Sequence, residues 1–186
     1  MNYATVKYCD IANGEGVRVS LFVSGCTHRC RGCFNETAWP FDYGETFTKE
    51  TENQLLRMLD HPYIAGLSLL GGEPFEPENQ RGLVSFLHRV RERFPGKNIW
   101  CYTGYTFETD LLGQKSPEKT APTLHDPRIL QTDEMLSMID ILVDGEYKEE
   151  VRNISLRFRG SENQRIIDVR ASLKSGCTVL AEQFMH

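Results

Sequence analysis

Three cysteines stand within eight residues, at Cys26, Cys30 and Cys33 of the stretch Ser24 to Asn35, SGCTHRCRGCFN. Their order, C-x3-C-x2-C, lets one loop bring three thiolates to one centre, and thiolates are ligands for zinc and for iron–sulfur clusters. On a helix the same positions would share a face and form a small buried stripe. Ser24, Gly25, Gly32 and Asn35 make the segment a poor helix, and His28 and Arg31 would crowd that face. A closed zinc tetrahedron needs a fourth protein ligand, yet His28 lies inside the loop and no second C-x2-C is present. A [4Fe–4S] cluster ordinarily takes four cysteines, and this loop supplies three. One iron would then stay open, which is a catalytic feature rather than a structural one.

The surrounding pattern places that loop at the end of a strand. Val17–Val23, VRVSLFV, alternates β-branched and aromatic residues and runs directly into Ser24-Gly25-Cys26. Further strands are expected over Ala4 to Ile11, Ile64 to Leu70, Ile99 to Tyr102, Ile141 to Val143 and Ile166 to Val169. Between them, Thr48 caps a helix reaching about His61, and Pro77 opens one ending at Pro95-Gly96. A short helix is expected from Thr106 to Leu112, and another from Arg128 to Ile139 with Leu130, Met135 and Ile139 inward. Residues 113–127 break the rhythm and read as a surface excursion, while the tail from about residue 170 is expected to close the domain or fray.

Strands alternating with helices predict an α/β fold with a mostly parallel sheet of about five or six strands in one domain, residues 1–186. That is too short for a complete eight-fold barrel. Four expected strand ends carry turns, at Gly25, at Gly71-Gly72-Glu73, at Thr103-Gly104 and at Asp144-Gly145. In a parallel sheet such ends lie along one edge, so four loops would build one site.

Composition narrows the function classes. A net charge of −5 argues against a nucleic-acid partner recognised through the overall field. No apolar run could span a bilayer and no signal layout opens the chain, so a cytoplasmic protein without a membrane partner is expected. Of the six cysteines, Cys9, Cys101 and Cys177 are scattered in segments that read as apolar, and they are expected to be small buried side chains. Arg18, Arg29, Arg31 and His28 would put positive potential around the cysteine loop, with most acids elsewhere, as an acidic partner would require.

Cys26-x3-Cys30-x2-Cys33-Phe34 resembles the motif of the radical S-adenosylmethionine enzymes, and Leu69-Leu70-Gly71-Gly72-Glu73-Pro74 resembles their strand-ending Gly-Gly-Glu element. The resemblance implies a partial, incomplete β/α barrel and a [4Fe–4S] cluster on Cys26, Cys30 and Cys33. S-adenosylmethionine would bind the open iron, and one-electron cleavage would yield a 5′-deoxyadenosyl radical. The backbone of Gly71 and Gly72 and the carboxylate of Glu73 would receive the cofactor's ammonium group, for which carbonyl and carboxylate acceptors are suited. Gly32, Cys33 and Phe34 would add cofactor contacts, and Thr103 and Asp144 would touch cofactor or cation. Trp39 would shield the cluster, unless it is core.

Within that superfamily the chain is similar to the activators of glycyl radical enzymes, and among them to the activators of anaerobic ribonucleoside-triphosphate reductase. The segments that carry this likeness are Asn13 to Arg18, Cys33 to Asn35 with Thr37 to Trp39, Ile99 to Tyr105, Leu142 to Gly145 and Arg159 to Arg165. The likeness implies hydrogen abstraction from a glycine Cα near the C-terminus of the large reductase subunit, with an electron donor such as flavodoxin. Asn163, Gln164 and Arg165 would meet the reductase or form a polar turn. Phe34 departs from the tyrosine frequent there, the 113–127 excursion is longer than usual, and the tail has no clear counterpart. The competing readings are a small-molecule radical enzyme resembling deazapurine synthases, and a non-catalytic iron–sulfur electron carrier or zinc-stabilised binding module.

Overall fold

A computed structural model describes residues 1–113 and 126–185; most of the excursion expected over 113–127 falls outside the described residues. The alternating segment forms β2 (Val17–Val23), and the turn before it folds β1 (Asn2–Asp10) back antiparallel. A two-residue β3 (Glu45–Thr46) pairs with the outer side of β1. β2, β4 (Ile64–Gly71), β5 (Asn98–Tyr102) and β6 (Ile141–Asp144) are parallel neighbours, and β7 (Arg165–Asp168) runs antiparallel to β6. The order β3-β1-β2-β4-β5-β6-β7 makes an open sheet of seven strands. The expected parallel arrangement therefore holds for the middle four strands, and both flanks are antiparallel. Parallel neighbours need a long crossover, whereas the short Ile11–Gly16 turn between β1 and β2 permits only a hairpin.

Two helices supply the main crossovers. α1 (Lys49–Leu59) starts where Thr48 accepts from the Thr51 amide and Thr51 reciprocates, a capping box that satisfies the first-turn donors. α2 (Pro77–Arg93) has Pro77 in its first turn, where the missing N–H costs nothing. Their apolar stripes, Leu55, Leu56 and Leu59 on α1 and Leu83, Phe86, Leu87 and Val90 on α2, join a core with Val19, Leu21, Leu67 and Leu69 of the sheet. Each such side chain removed from water contributes about 1.5–3 kcal/mol.

Strand alternation sends the other residues to the opposite face, where Trp100, Ile141, Val143 and Ile166 gather with Phe158, Phe184 and Ala181 in a second cluster. The tail closes the domain there. After α4 (Val169–Ser175), the Ala181 amide donates to Ile166 O at 2.9 Å and the Phe184 ring lies 5.0 Å from Trp100.

Four expectations are corrected. The helix expected over 128–139 is only α3 (Thr132–Ser137), and Leu130 is 96% exposed while Met135 and Ile139 are buried. Thr132 accepts from the Ile129 amide and donates to Gln80 Oε1 (2.7 Å), which fixes a turn where the helix would have begun. Cys9 and Cys177 are exposed, and only Cys101 of the scattered three is buried. A strand irregularity after Lys7 turns Cys9 outward, and Cys177 follows the left-handed Gly176 that ends α4. Arg18 is fully buried near the start of β2, at the end remote from the cysteine loop. Its guanidinium donates to Ser68 Oγ, Leu67 O and Asn98 Oδ1, each at 2.7 Å, and lies 5.5 Å from the Trp100 ring centre. The positive potential expected around the cysteine loop is offset, because the fold delivers Glu73, Glu76 and Glu149 to His28, Thr27 and Arg31.

Candidate functional site

The parallel strands β2, β4, β5 and β6 all end on one edge, and their loops are laced together by main-chain bonds. Gly72 N donates to Val23 O at 2.7 Å and Glu73 N to Gly25 O at 2.8 Å; on the other side of the cysteine loop, Cys26 N donates to Trp39 O at 3.0 Å. Gly71 takes a φ of +104°, a region that side chains avoid. A Cβ on Gly72 would stand 2.6 Å from Gly25 O, so glycine alone lets the two loops touch.

These loops open onto a cavity of about 350 Å³. Cys26, Cys30 and Cys33 all line it, none is in a disulfide, and Gly71, Gly72 and Glu73 line it with them. Among the described residues no three His, Cys, Asp or Glu side chains converge tightly enough for a lone metal ion. The three thiols line one shared space, as the ligands of a single cluster must. Burial, followed by the charge of Glu73, pushes the Cys26 thiol up to about 12; burial and Glu146 push Cys30 to the same range. A bound cation reverses that preference by stabilising thiolate.

Glu73 is almost wholly buried and its carboxylate is saturated. Oε1 accepts from the Phe75 amide and the Thr103 hydroxyl, and Oε2 accepts from the Gly104 amide, all at 2.8 Å, with His28 Nε2 at 3.1 Å. Burial lowers the His28 pKa, but hydrogen bonding and charge from Glu73, with Glu146 and Glu76, bring the net shift upward. Glu73 thus joins the cysteine loop to the ends of β4 and β5. Thr103 reaches the cavity from the same network, and its amide donates to Val143 O at 2.9 Å.

The remaining expected residues divide. Phe34 borders the cavity with 79% of its surface exposed, edge-on to Tyr147 at 6.5 Å, and Trp39 also lines the cavity. Gly32 is exposed on the loop's outer side beside Glu149. Asp144 is buried, and its carboxylate accepts from the Phe107 amide (2.9 Å) and from Arg165, which also forks onto Glu108. Arg165 therefore faces inward. Gln164 does too, accepting from the Gly160 amide at 2.8 Å and donating to Gly145 O at 3.1 Å, while Asn163 donates to Glu146 O.

Among the cavity residues given no individual role from the sequence are Tyr102 and Arg159. The Tyr102 hydroxyl and Arg159 Nε are shut off from solvent without a protein partner. Burial raises the Tyr102 pKa, so the phenol stays protonated. A signal existed for Tyr102, since alternation in β5 places it on the face of Trp100, away from the helices.

Fold and cavity together define the class, an α/β iron–sulfur protein, and a family model described as a 4Fe-4S single cluster domain matches residues 12–167. The anaerobic ribonucleoside-triphosphate reductase-activating protein of Enterobacteria phage T4 is 38% identical over 166 residues, covering 89% of this chain and 93% of the relative. The protein of the same name from Pasteurella multocida is 41% identical over 168 residues (89% and 96%), and that of Escherichia coli strain K12 is 37% identical over 172 (91% and 100%). The chain belongs to the family of anaerobic ribonucleoside-triphosphate reductase-activating proteins.

Proposed function

We propose that the chain activates an anaerobic ribonucleoside-triphosphate reductase through a [4Fe–4S] cluster and S-adenosylmethionine bound in this cavity. The observation that carries this reading is the meeting of three free thiols with the Gly71-Gly72-Glu73 turn around one space. When bound, the pair supplies one-electron cleavage of the sulfonium to methionine and a 5′-deoxyadenosyl radical, which takes a hydrogen atom from a glycine Cα of the reductase and leaves a glycyl radical. The relatives' name favours this reading over the small-molecule alternative and the electron carrier.

The chain's own residues hold and exclude. Cys26, Cys30 and Cys33 are the cluster ligands. Gly71 and Gly72 give the cofactor close approach to backbone, and Cys33 and Phe34 border it at the rim with Gly32 behind them. Glu73 fixes three loops in register, and Thr103 orients Glu73. Asp144 supports the edge from behind, through Arg165. Trp39 limits water at the thiols. The open sheet with its four parallel central strands is read as an incomplete barrel. The reductase's large subunit is the protein substrate, and a flavodoxin-type donor supplies the electron. No helix among the described residues is long and apolar enough to cross a membrane, consistent with a cytoplasmic setting for that reaction.

Anaerobic reconstitution with iron and sulfide, reduction, and addition of S-adenosylmethionine tests the reading. 5′-Deoxyadenosine is expected, together with a glycyl radical by electron paramagnetic resonance once the reductase is present. Absence of 5′-deoxyadenosine would refute the radical chemistry; its formation without a glycyl radical would refute the assigned substrate.

A further inference from the structure

Two residues that line the cavity, Tyr102 and Arg159, each carry a buried donor without a protein partner, the phenol hydroxyl and Nε, and neither belongs to the cysteine loop or the Gly71-Gly72-Glu73 turn. Arg159 is not free to swing. Its Nη1 donates to Gln164 O at 2.9 Å, and Gln164 is itself fixed by the Gly160 and Ser161 amides and Gly145 O. Phe158, next in the chain, packs edge-on to Trp100 at 5.2 Å on the same sheet face as Tyr102. Two ordered, desolvated donors carry a penalty that an incoming acceptor relieves. Guanidinium has no acceptor, so the group it meets must offer a lone pair, as a peptide carbonyl does.

A glycine offers no side chain to grip. An enzyme that removes hydrogen from its Cα can orient it only through the carbonyl and N–H groups of the adjoining peptide units. Leu156 and Phe158 give the cavity an apolar border beside the two donors, as a peptide segment entering from a partner protein requires. We propose that Tyr102 and Arg159 form a carbonyl-binding subsite that holds the main chain of the partner's glycine segment. This inference rests on the activating function proposed above, and it assigns the substrate side of the same cavity.

The test uses the reconstituted holoenzyme loaded with S-adenosylmethionine and a fluorescein-labelled synthetic peptide containing the reductase's glycine segment, with Kd read by fluorescence anisotropy. Tyr102→Phe removes the hydroxyl and keeps the ring, so it guards against a folding defect; it is expected to weaken peptide binding roughly 3- to 10-fold. Arg159→Gln is expected to weaken it about 10- to 100-fold, and Arg159→Lys not to restore it, because an ammonium cannot reproduce the fixed fork. Arg93→Gln, on the outer surface of α2, should bind the peptide as wild type does. Unchanged peptide affinity in both Tyr102→Phe and Arg159→Gln overturns the subsite. So does a loss confined to S-adenosylmethionine affinity, measured in parallel, which would give the two donors to the cofactor. A wild-type protein that cleaves S-adenosylmethionine but does not bind the peptide also overturns the subsite alone, whereas failure of that cleavage overturns the activating reading itself.

Discussion

Across β2, β4, β5, β6 and β7, one register row reads Leu21, Leu69, Cys101, Leu142 and Ile167, and every member is buried against the helices. The adjacent row on the other face reads Ser20, Ser68, Trp100 and Ile141, and in its first three strands hydroxyls and an indole replace the aliphatic carbons. The same strands thus serve two purposes. The helix face is filled by volume, and its energetics are those of apolar burial. The cavity face carries groups that bond, such as Ser68, whose Oγ donates to Asn13 O and accepts from Arg18, and groups that wait for a bond, such as Tyr102. Stability and chemistry are divided by the pleat.

Changes on the two faces should therefore fail differently. Cys30→Ala is expected to abolish cluster incorporation and 5′-deoxyadenosine formation while leaving the far-ultraviolet circular dichroism of the unloaded protein intact; iron content and product assay check both. Substantial iron retained with cleavage would remove Cys30 from the ligand set. Leu69→Ala, one pleat away from the cavity, should instead cost roughly 2–5 kcal/mol in urea denaturation, because its neighbours are packed and close only partly around the void. A change under 1 kcal/mol would show that the helix face is loosely filled.

A smaller effect is expected from the acid-sensitive brace behind β6. The Arg165 hydrogen bond, against burial and with help from Thr178, holds Glu108 down at about 2, below its ordinary 4.5. Its contribution to stability is complete above about pH 4.5 and is lost as pH falls towards 2. Glu108→Gln should flatten the pH dependence of the denaturation midpoint in that window, and an unaltered slope would refute the brace. Smallest of all, Arg93→Gln removes an exposed pair with Asp60 and should move stability by no more than about 0.5 kcal/mol.

Much of this division could be read from residue order. Alternation in Val17–Val23, the Thr48 cap and Pro77 set β2, α1 and α2 locally, and glycines at strand ends marked the loops that meet at the cavity. What could not be read depends on distant partners. Arg18 looked like a surface charge because arginine usually is one, and distant acceptors, among them Ser68 and Asn98, 50 and 80 residues away, make its burial tolerable. Glu73 was legible as a site residue, but not as the junction of His28, Thr103 and Gly104. Asp144 ends a strand, as expected, and there meets Arg165 from an antiparallel neighbour that the alternating pattern did not foretell.

The central claim is that the cavity face removes a hydrogen atom from a partner's glycine. Its most direct test is isotope transfer, with reductase containing α-deuterated glycine incubated with the reconstituted, reduced protein and unlabelled S-adenosylmethionine. Mass spectrometry of the 5′-deoxyadenosine should then show deuterium gained in step with the glycyl radical signal. Product formed without deuterium, while the radical accumulates, would contradict direct abstraction from glycine.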